Sequence, residues 1–415
     1  METLTTIGFD ISQESSEICV IDRFGDVERT ERIPTTKAGV TACFKRPRAH
    51  VVIEAGSETR WILGLLKELG HDVTVANPRH VKLISSGSRK SDKVDAQILA
   101  RIGRIDRELL APVEMRDAKS QADLTVVRSR KAMVNTRTRL VNLARGMAKD
   151  ADEPLGACTA ESFHRKMRDE VPLSLRPALM PIFTLLEGVE GAIEELDQQI
   201  ERIAAKRPEV QCLAQIKGVG TLTAVAFVLT ICNPWRFRSR EVPAYLGLVP
   251  RRDQSGASDP KLGITKTGDP LMRTLLVQCA HYILMRGEPS DLKRWGLALA
   301  ERGGPNGRKR AVVAVARKLA VLLHSMWTNR TQWQPEGFEL QKKKPVRAKA
   351  ARAVKPKKAA AAVNTKADRA QAVDPAASVD AKSPRPRKLG QPCGLPTAPT
   401  ATAAKFIKKD IKKKK

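Results

Sequence analysis

The stretch TTIGFDISQESSEICVIDRFGDV, residues 5–27, decides how the front of the chain is read. Ile7, Phe9 and Ile11 alternate, and Ile18, Val20 and Ile21 mark a second apolar run. Two neighbouring strands, at about 5–11 and 17–23, are therefore expected, with a turn at Gly25–Asp26 leading to a third at about 27–33. Asp10 falls in the middle of the first expected strand. A carboxylate there competes for backbone hydrogen bonds and resists burial. Taken alone, Asp10 reads as a solvent-facing residue on an amphipathic strand, so other carboxylates must decide its role.

Further along, the pattern predicts a helix near 37–46, a strand at His50–Glu54, a helix at 58–69, a strand at 72–76 and a helix from about 92. Three adjoining strands followed by alternating helices and strands is the order of an RNase H-like mixed sheet, although a generic α/β domain reads much the same. If the sheet is RNase H-like, Glu54 ends the strand beside Asp10, and Asp92 and Asp95 share a face at the start of a helix. Four carboxylates then meet at one end of the sheet. Such a gathering makes electrostatic sense with divalent cations, and oxygen ligands favour Mg²⁺ or Mn²⁺. Each acid also has an ordinary alternative: Asp92 as an early-helix acid facing the dipole, Glu54 as a strand-end surface residue.

The middle of the chain changes period. An Arg-rich helix is expected between about 117 and 150, with Leu124, Val127, Val134, Val141 and Ala144 on one stripe. After a proline-punctuated interval at 154–181, apolar residues recur at Val189, Ile193, Leu196, Ile200 and Ile203. This 4-3-4-3 spacing suits either an oligomerising pair or helices packed within one subunit, and predicts an antiparallel, coiled-coil-like arm joining two domains.

A second compact region follows at 208–330. In LAQIKGVGTLTAVAFVL, Gly218 and Gly220 separate two helical stretches, as in a helix-hairpin-helix that offers backbone N–H groups to a phosphate, or in a plain helix connection. Beyond lies a long Gly-rich basic loop, AYLGLVPRRDQSGASDPKLGITKTGDP, and then helices at 270–286 and 309–327. Ser255 sits in that loop with Arg251, Arg252, Lys261, Lys266 and Arg273 around it. A hydroxyl among cations could attack phosphorus; Ser-Gly is also an ordinary turn.

Across the 415 residues the net charge is +29, which names a polyanion as the first partner to consider. Residues 341–415 carry 22 Lys or Arg against 4 Asp and have no aromatic residue but Phe406, so a disordered basic arm is expected there. Seven cysteines form no CxxC pair and suit scattered reduced thiols. Neither a membrane span nor a signal peptide is expected.

GFDIS around Asp10, VVIEAGSETRWILGLLKELGHDVTVANPRHVK around Glu54, KSDKVDAQILAR around Asp92 and Asp95, IKGVGTLTAVAF, AYLGLVPRRDQSGASDPKLGITKTGDPLMRTLL and AVVAVARKLAVLLHSMW occur in this order. Through them, residues 4–330 or so resemble the DEDD transposases of the insertion-sequence one-ten family, related to the Piv-type DNA invertases. The resemblance implies a RuvC-like domain in which Asp10, Glu54, Asp92 and Asp95 bind Mg²⁺, and a C-terminal transposase domain in which Ser255 is the nucleophile. It also implies a composite site across subunits of a homodimer or homotetramer, and a bridge-type guide RNA pairing with donor and target DNA. The expected organisation is a RuvC-like domain at 1–110, a helical arm at 111–207, a mainly helical transposase domain at 208–335 and a basic tail at 336–415. A cytoplasmic, nucleoid-associated DNA recombinase is the resulting expectation. Its rivals are an invertase without RNA, a RuvC-like nuclease using water, and a binding protein without chemistry.

Overall fold

A computed structural model describes residues 5–84, 91–256, 258–260 and 262–336, with the backbone alone at 82–84. Lys261 and, apart from Glu336, the expected basic tail lie outside the described residues. Strands β1 (Thr6–Asp10), β2 (Ser15–Ile21), β3 (Val27–Pro34), β4 (His50–Glu54) and β5 (Asp72–Ala76) form one mixed sheet in the order β3-β2-β1-β4-β5. The first three pair antiparallel, and β4 and β5 run parallel to β1. Asp10 is the last residue of β1 rather than a mid-strand residue, because the ladder to β4 ends at Phe9 opposite Ile53 and that to β2 at Asp10 opposite Glu17.

Both faces of the central strands are covered, which explains the unbroken Val-Val-Ile run of β4. On one face Ile7, Phe9, Val51 and Ile53 pack with Phe44 of α1 (Lys37–Phe44) and with Ile62 and Leu66 of α2 (Thr59–Glu68). After β5 comes a helix that the sequence reading lacks, α3 (Pro78–Ile84). Across the other face lies α4 (Asp92–Ile105), whose Ala96 and Ala100 meet Cys19 and Ile21. The approach is backbone-close: a Cβ on Gly8 would come within 2.0 Å of the Ala96 carbonyl oxygen. At the other end of α4, Gly103 lies against Val52 and His50. The helix therefore runs opposite to β1 and β4, and its first turn reaches the sheet end where Asp10 and Glu54 stand.

His50, at the far end of β4, is buried with Nε2 at 2.9 Å from Thr74 Oγ1. Burial holds its pKa down to about 4, the nearby Arg107 cation adding to the effect and Asp72 opposing it.

The arm consists of α5 (Ala118–Asp150) and α7 (Arg176–Ala205), with the short α6 (Phe163–Lys166) between them. Ion pairs Arg130–Asp197 and Arg137–Glu190 descend along α7 as they climb α5, and Asp123 pairs with Arg207 just past the end of α7, so the two helices are antiparallel. Val141 and Ala144 pack with Phe163, Leu179 and Phe183, and the two phenylalanine rings stack at 5.2 Å. Of the stripes read from the sequence, Leu124, Val127, Val141, Ala144, Val189, Ile193 and Ile200 are buried within the chain, while Val134, Leu196 and Ile203 are half-buried. Helix α7 starts inside the proline-rich interval: Pro177 occupies its first turn, where no N–H is needed, and Pro181 forgoes one bond, to the Pro177 carbonyl.

The C-terminal region is mostly helical, with α8 (Pro208–Ala214), α9 (Thr221–Ile231), α10 (Val242–Tyr245), α11 (Pro270–Met285), α12 (Asp291–Arg302) and α13 (Gly307–Asn329). Thr223 through Ile231 are all buried, which fits a helix apolar on every side. Helix α13 is long and apolar enough to cross a bilayer by composition, yet Val315, Leu319 and Leu323 are packed in this core. Arg116 joins the α/β region to α9 by donating to the Leu229 and Thr230 carbonyls at 2.9 and 3.1 Å. A cation at a helix C-terminus also meets the negative end of the dipole.

Candidate functional site

Asp10 and Glu54 end adjacent parallel strands, with Phe9 and Ile53 paired just before them. Asp92 and Asp95 occupy the first turn of α4, which Ser91 caps by accepting from the Val94 N–H. The opposed directions of α4 and the strands place all four at one end of the sheet. Asp92 is exposed, and Asp10, Glu54 and Asp95 are half-buried. Among the described residues, no three Asp, Glu, His or Cys side chains stand close enough together to hold a metal. The acids share a sheet end without forming a closed cage. Their donor atoms are all carboxylate oxygens, a set that suits Mg²⁺ or Mn²⁺ over softer metals.

One further carboxylate, which the sequence reading passed over, neighbours Asp10. Glu17 stands opposite Asp10 in the β1–β2 register, is only 5% exposed, and leaves Oε2 buried without a hydrogen-bond partner. Its alternation with Cys19 and Ile21, which face α4, is visible in SSEICVI and could have disclosed it.

Ser255 is carried differently. Its loop folds back on itself, with Pro250 bridging Ile264 and Ser255 bridging Ser258. The Ser255 N–H donates to the Ser258 carbonyl at 3.1 Å and the return bond is 2.9 Å, so the exposed serine sits at a hairpin tip followed by Gly256 in the left-handed region. Arg251 and Arg252 are exposed on the rising side. At the loop's base, Lys266 adopts φ of 56° and donates from its backbone to the Gly247 carbonyl at 3.1 Å. Gly247 has φ of 68°, and a Cβ there would lie 2.6 Å from the Thr267 nitrogen. Arg273 donates to the Leu246 and Gly268 carbonyls at 3.2 and 2.7 Å, fastening the two strands of the base. Arg79 of α3, which the sequence reading did not single out, donates to the Thr267 carbonyl and ties this base to the α/β region.

A transposase family model, that of the DEDD transposase of IS110, matches residues 7–151. A second, described as the transposase IS116/IS110/IS902 family, matches residues 210–295. The chain is 27% identical to the transposase for insertion sequence element IS1111A of Coxiella burnetii over 80% of its own length and 92% of the relative's. It is 27% identical to the transposase for IS1328 of Yersinia enterocolitica over 69% of its length and 86% of the relative's. With the putative transposase y4pF/y4sB of Sinorhizobium fredii the identity is 30%, over 71% of this chain and 76% of the relative. The chain belongs to the IS110 family of transposases. It is accordingly a DNA transposase, an enzyme of strand cutting and joining.

The two family matches fall on the two regions just described, the acidic sheet and the serine loop. In this IS110-family chain the segment at Gly218 and Gly220 does lie between helices, α8 and α9. Gly218 has φ of 101°, and its α-carbon is covered by the Tyr282 ring, which a Cβ would approach to 2.6 Å. Gly220 stands at the N-cap of α9 in extended conformation.

Proposed function

We propose that this transposase works through two chemical centres, a divalent-cation site at Asp10, Glu54, Asp92 and Asp95 and a nucleophile at Ser255. The observation that supports the reading is that β1, β4 and α4 carry the four acids to one end of a mixed sheet whose order suits an RNase H-like domain. A bound Mg²⁺ would stabilise negative charge building on a phosphodiester. Ser255 Oγ attacks phosphorus, a Ser–O–P bond forms as a P–O bond to deoxyribose breaks, and the departing sugar oxygen takes a proton. A strand hydroxyl then reverses the exchange, freeing the serine and joining DNA to DNA. Arg251, Arg252, Lys261 and Lys266 hold phosphates electrostatically, and the Gly218–Gly220 turn offers backbone N–H groups as a helix-hairpin-helix does. Arg273 serves by shaping the loop.

The remaining partners of the reading are donor and target DNA, a bridge-type guide RNA and further copies of the chain in a dimer or tetramer. RNA of defined sequence co-purifying with the protein supports the guide; purification free of RNA with full recombination retained favours a site-specific invertase. Ser255→Ala is expected to abolish covalent protein–DNA adducts and excision while the protein remains folded. Undiminished recombination by that variant, with cut ends bearing free 5′-phosphates, would overturn the serine role in favour of a water-using nuclease.

A further inference from the structure

Glu17 has the surroundings of a residue made for a counter-charge. It is 5% exposed, and Oε2 has no hydrogen-bond partner. On one side its register neighbour is Asp10, on the other Arg32. Opposed residues of antiparallel strands point to the same face, so the Glu17 and Asp10 carboxylates share the face covered by α4. Arg32 does not settle the charge: its Nε lies 3.7 Å from Glu17 Oε1 and donates instead to Ser15 Oγ at 2.8 Å, and its side chain is 65% exposed. A buried carboxylate oxygen without a donor, next to another carboxylate, is costly unless a cation compensates it.

We propose that Glu17 is a fifth carboxylate of the divalent-cation site, acting beside Asp10. This rests on the cation site proposed above and adds a residue to it. The physical signature is an inversion of the usual effect of losing a buried ion-pair member. Neutralising Glu17 relieves repulsion with Asp10 in the metal-free protein and weakens the hold on the cation. A simple Glu17–Arg32 strand pair has the opposite signature, because its loss destabilises the protein with or without metal.

The test is thermal unfolding of the full chain titrated with Mn²⁺ alone, with free Mn²⁺ read in parallel by electron paramagnetic resonance. Glu17→Gln is expected to unfold, metal-free, at or above the temperature of the parent, and to need about tenfold more Mn²⁺ for half of the stabilisation. An unchanged Mn²⁺ midpoint in Glu17→Gln, or in Glu17→Asp should the first variant not fold, overturns the proposal. Asp10→Asn separates the two levels. If it removes Mn²⁺ stabilisation while Glu17→Gln does not, Glu17 alone is misassigned; if Asp10→Asn also keeps the parent midpoint, the cation site itself fails.

Discussion

The acids and the serine are held in contrasting ways. Asp10, Glu54, Asp92 and Asp95 project from strand ends and a helix start that are locked by backbone-close packing, Gly8 against Ala96 being the tightest point. Ser255 stands at an exposed hairpin tip whose geometry depends on two left-handed residues and one arginine at the base. The rigid elements fix where the four carboxylates stand relative to one another, as the cation site proposed above requires. The loop presents a single hydroxyl, and a lightly supported tip leaves it the reach that its proposed role as a nucleophile requires.

The contrast breaks most visibly at Gly8. Gly8→Val forces side-chain atoms into the Ala96 carbonyl and the Ala100 nitrogen, and more than about 4 kcal/mol of stability should be lost in denaturant unfolding. Retention of parent stability would mean that α4 is free to lift off the sheet, and the two sites would then be equally loose. A smaller effect is expected from acid. His50 has a folded pKa of about 4 against an ordinary 6.5, so in that window the unfolded chain binds the extra proton. Stability conferred by neutral His50 is complete above pH 6.5 and declines as pH falls towards 4, by up to about 3 kcal/mol. His50→Gln should flatten that part of a stability–pH curve, and an unaltered slope would deny the sheet this sensitivity.

Smaller still is the effect of Arg273→Ala, which removes two bonds to carbonyls at the loop base. About 2 kcal/mol of local stability should go, seen as faster amide exchange across 246–268 with the melting temperature of the α/β region unmoved. Exchange unchanged in that segment would show that the loop needs no such fastening. At the bottom of the scale, Ser255→Ala should alter the melting temperature by less than the equivalent of about 0.5 kcal/mol, as expected for an exposed side chain. Its full effect then belongs to chemistry.

Much of the α/β region was legible because its signals are local. The short apolar stretches VVI and VTV mark β4 and β5 at their observed residues, and KSDKVDAQ announces the start of α4. Asp10 was placed mid-strand because Ile11 continues the alternation, whereas pairing partners decide where a strand ends. Helix α12 was missed: its sequence, DLKRWGLALAER, is short and mixed, and it packs chiefly against α13, with α11 beside it. Pro181 hid the beginning of α7, since one forgone hydrogen bond near a helix start is tolerated when Leu179 and Phe183 are buried on either side. At the site, positions were readable but neighbours were not. The contacts of Arg79 with Thr267 and of Arg116 with Leu229 span 188 and 113 residues, and no periodicity in a single sequence carries them.

The arm has a consequence of scale. Helix α5 is 33 residues of continuous α-helix, so it extends about 50 Å from the sheet to its far turn. That distance equals roughly fifteen base-pair steps of a duplex at 3.4 Å each. Because α7 runs alongside and is bolted to it through Arg130 and Arg137, the pair resists bending as a braced strut does. Whatever grips the far end is kept a set span from the sheet, and lengthening α5 and α7 together by two turns would move it about 11 Å while leaving the residues of both proposed centres untouched.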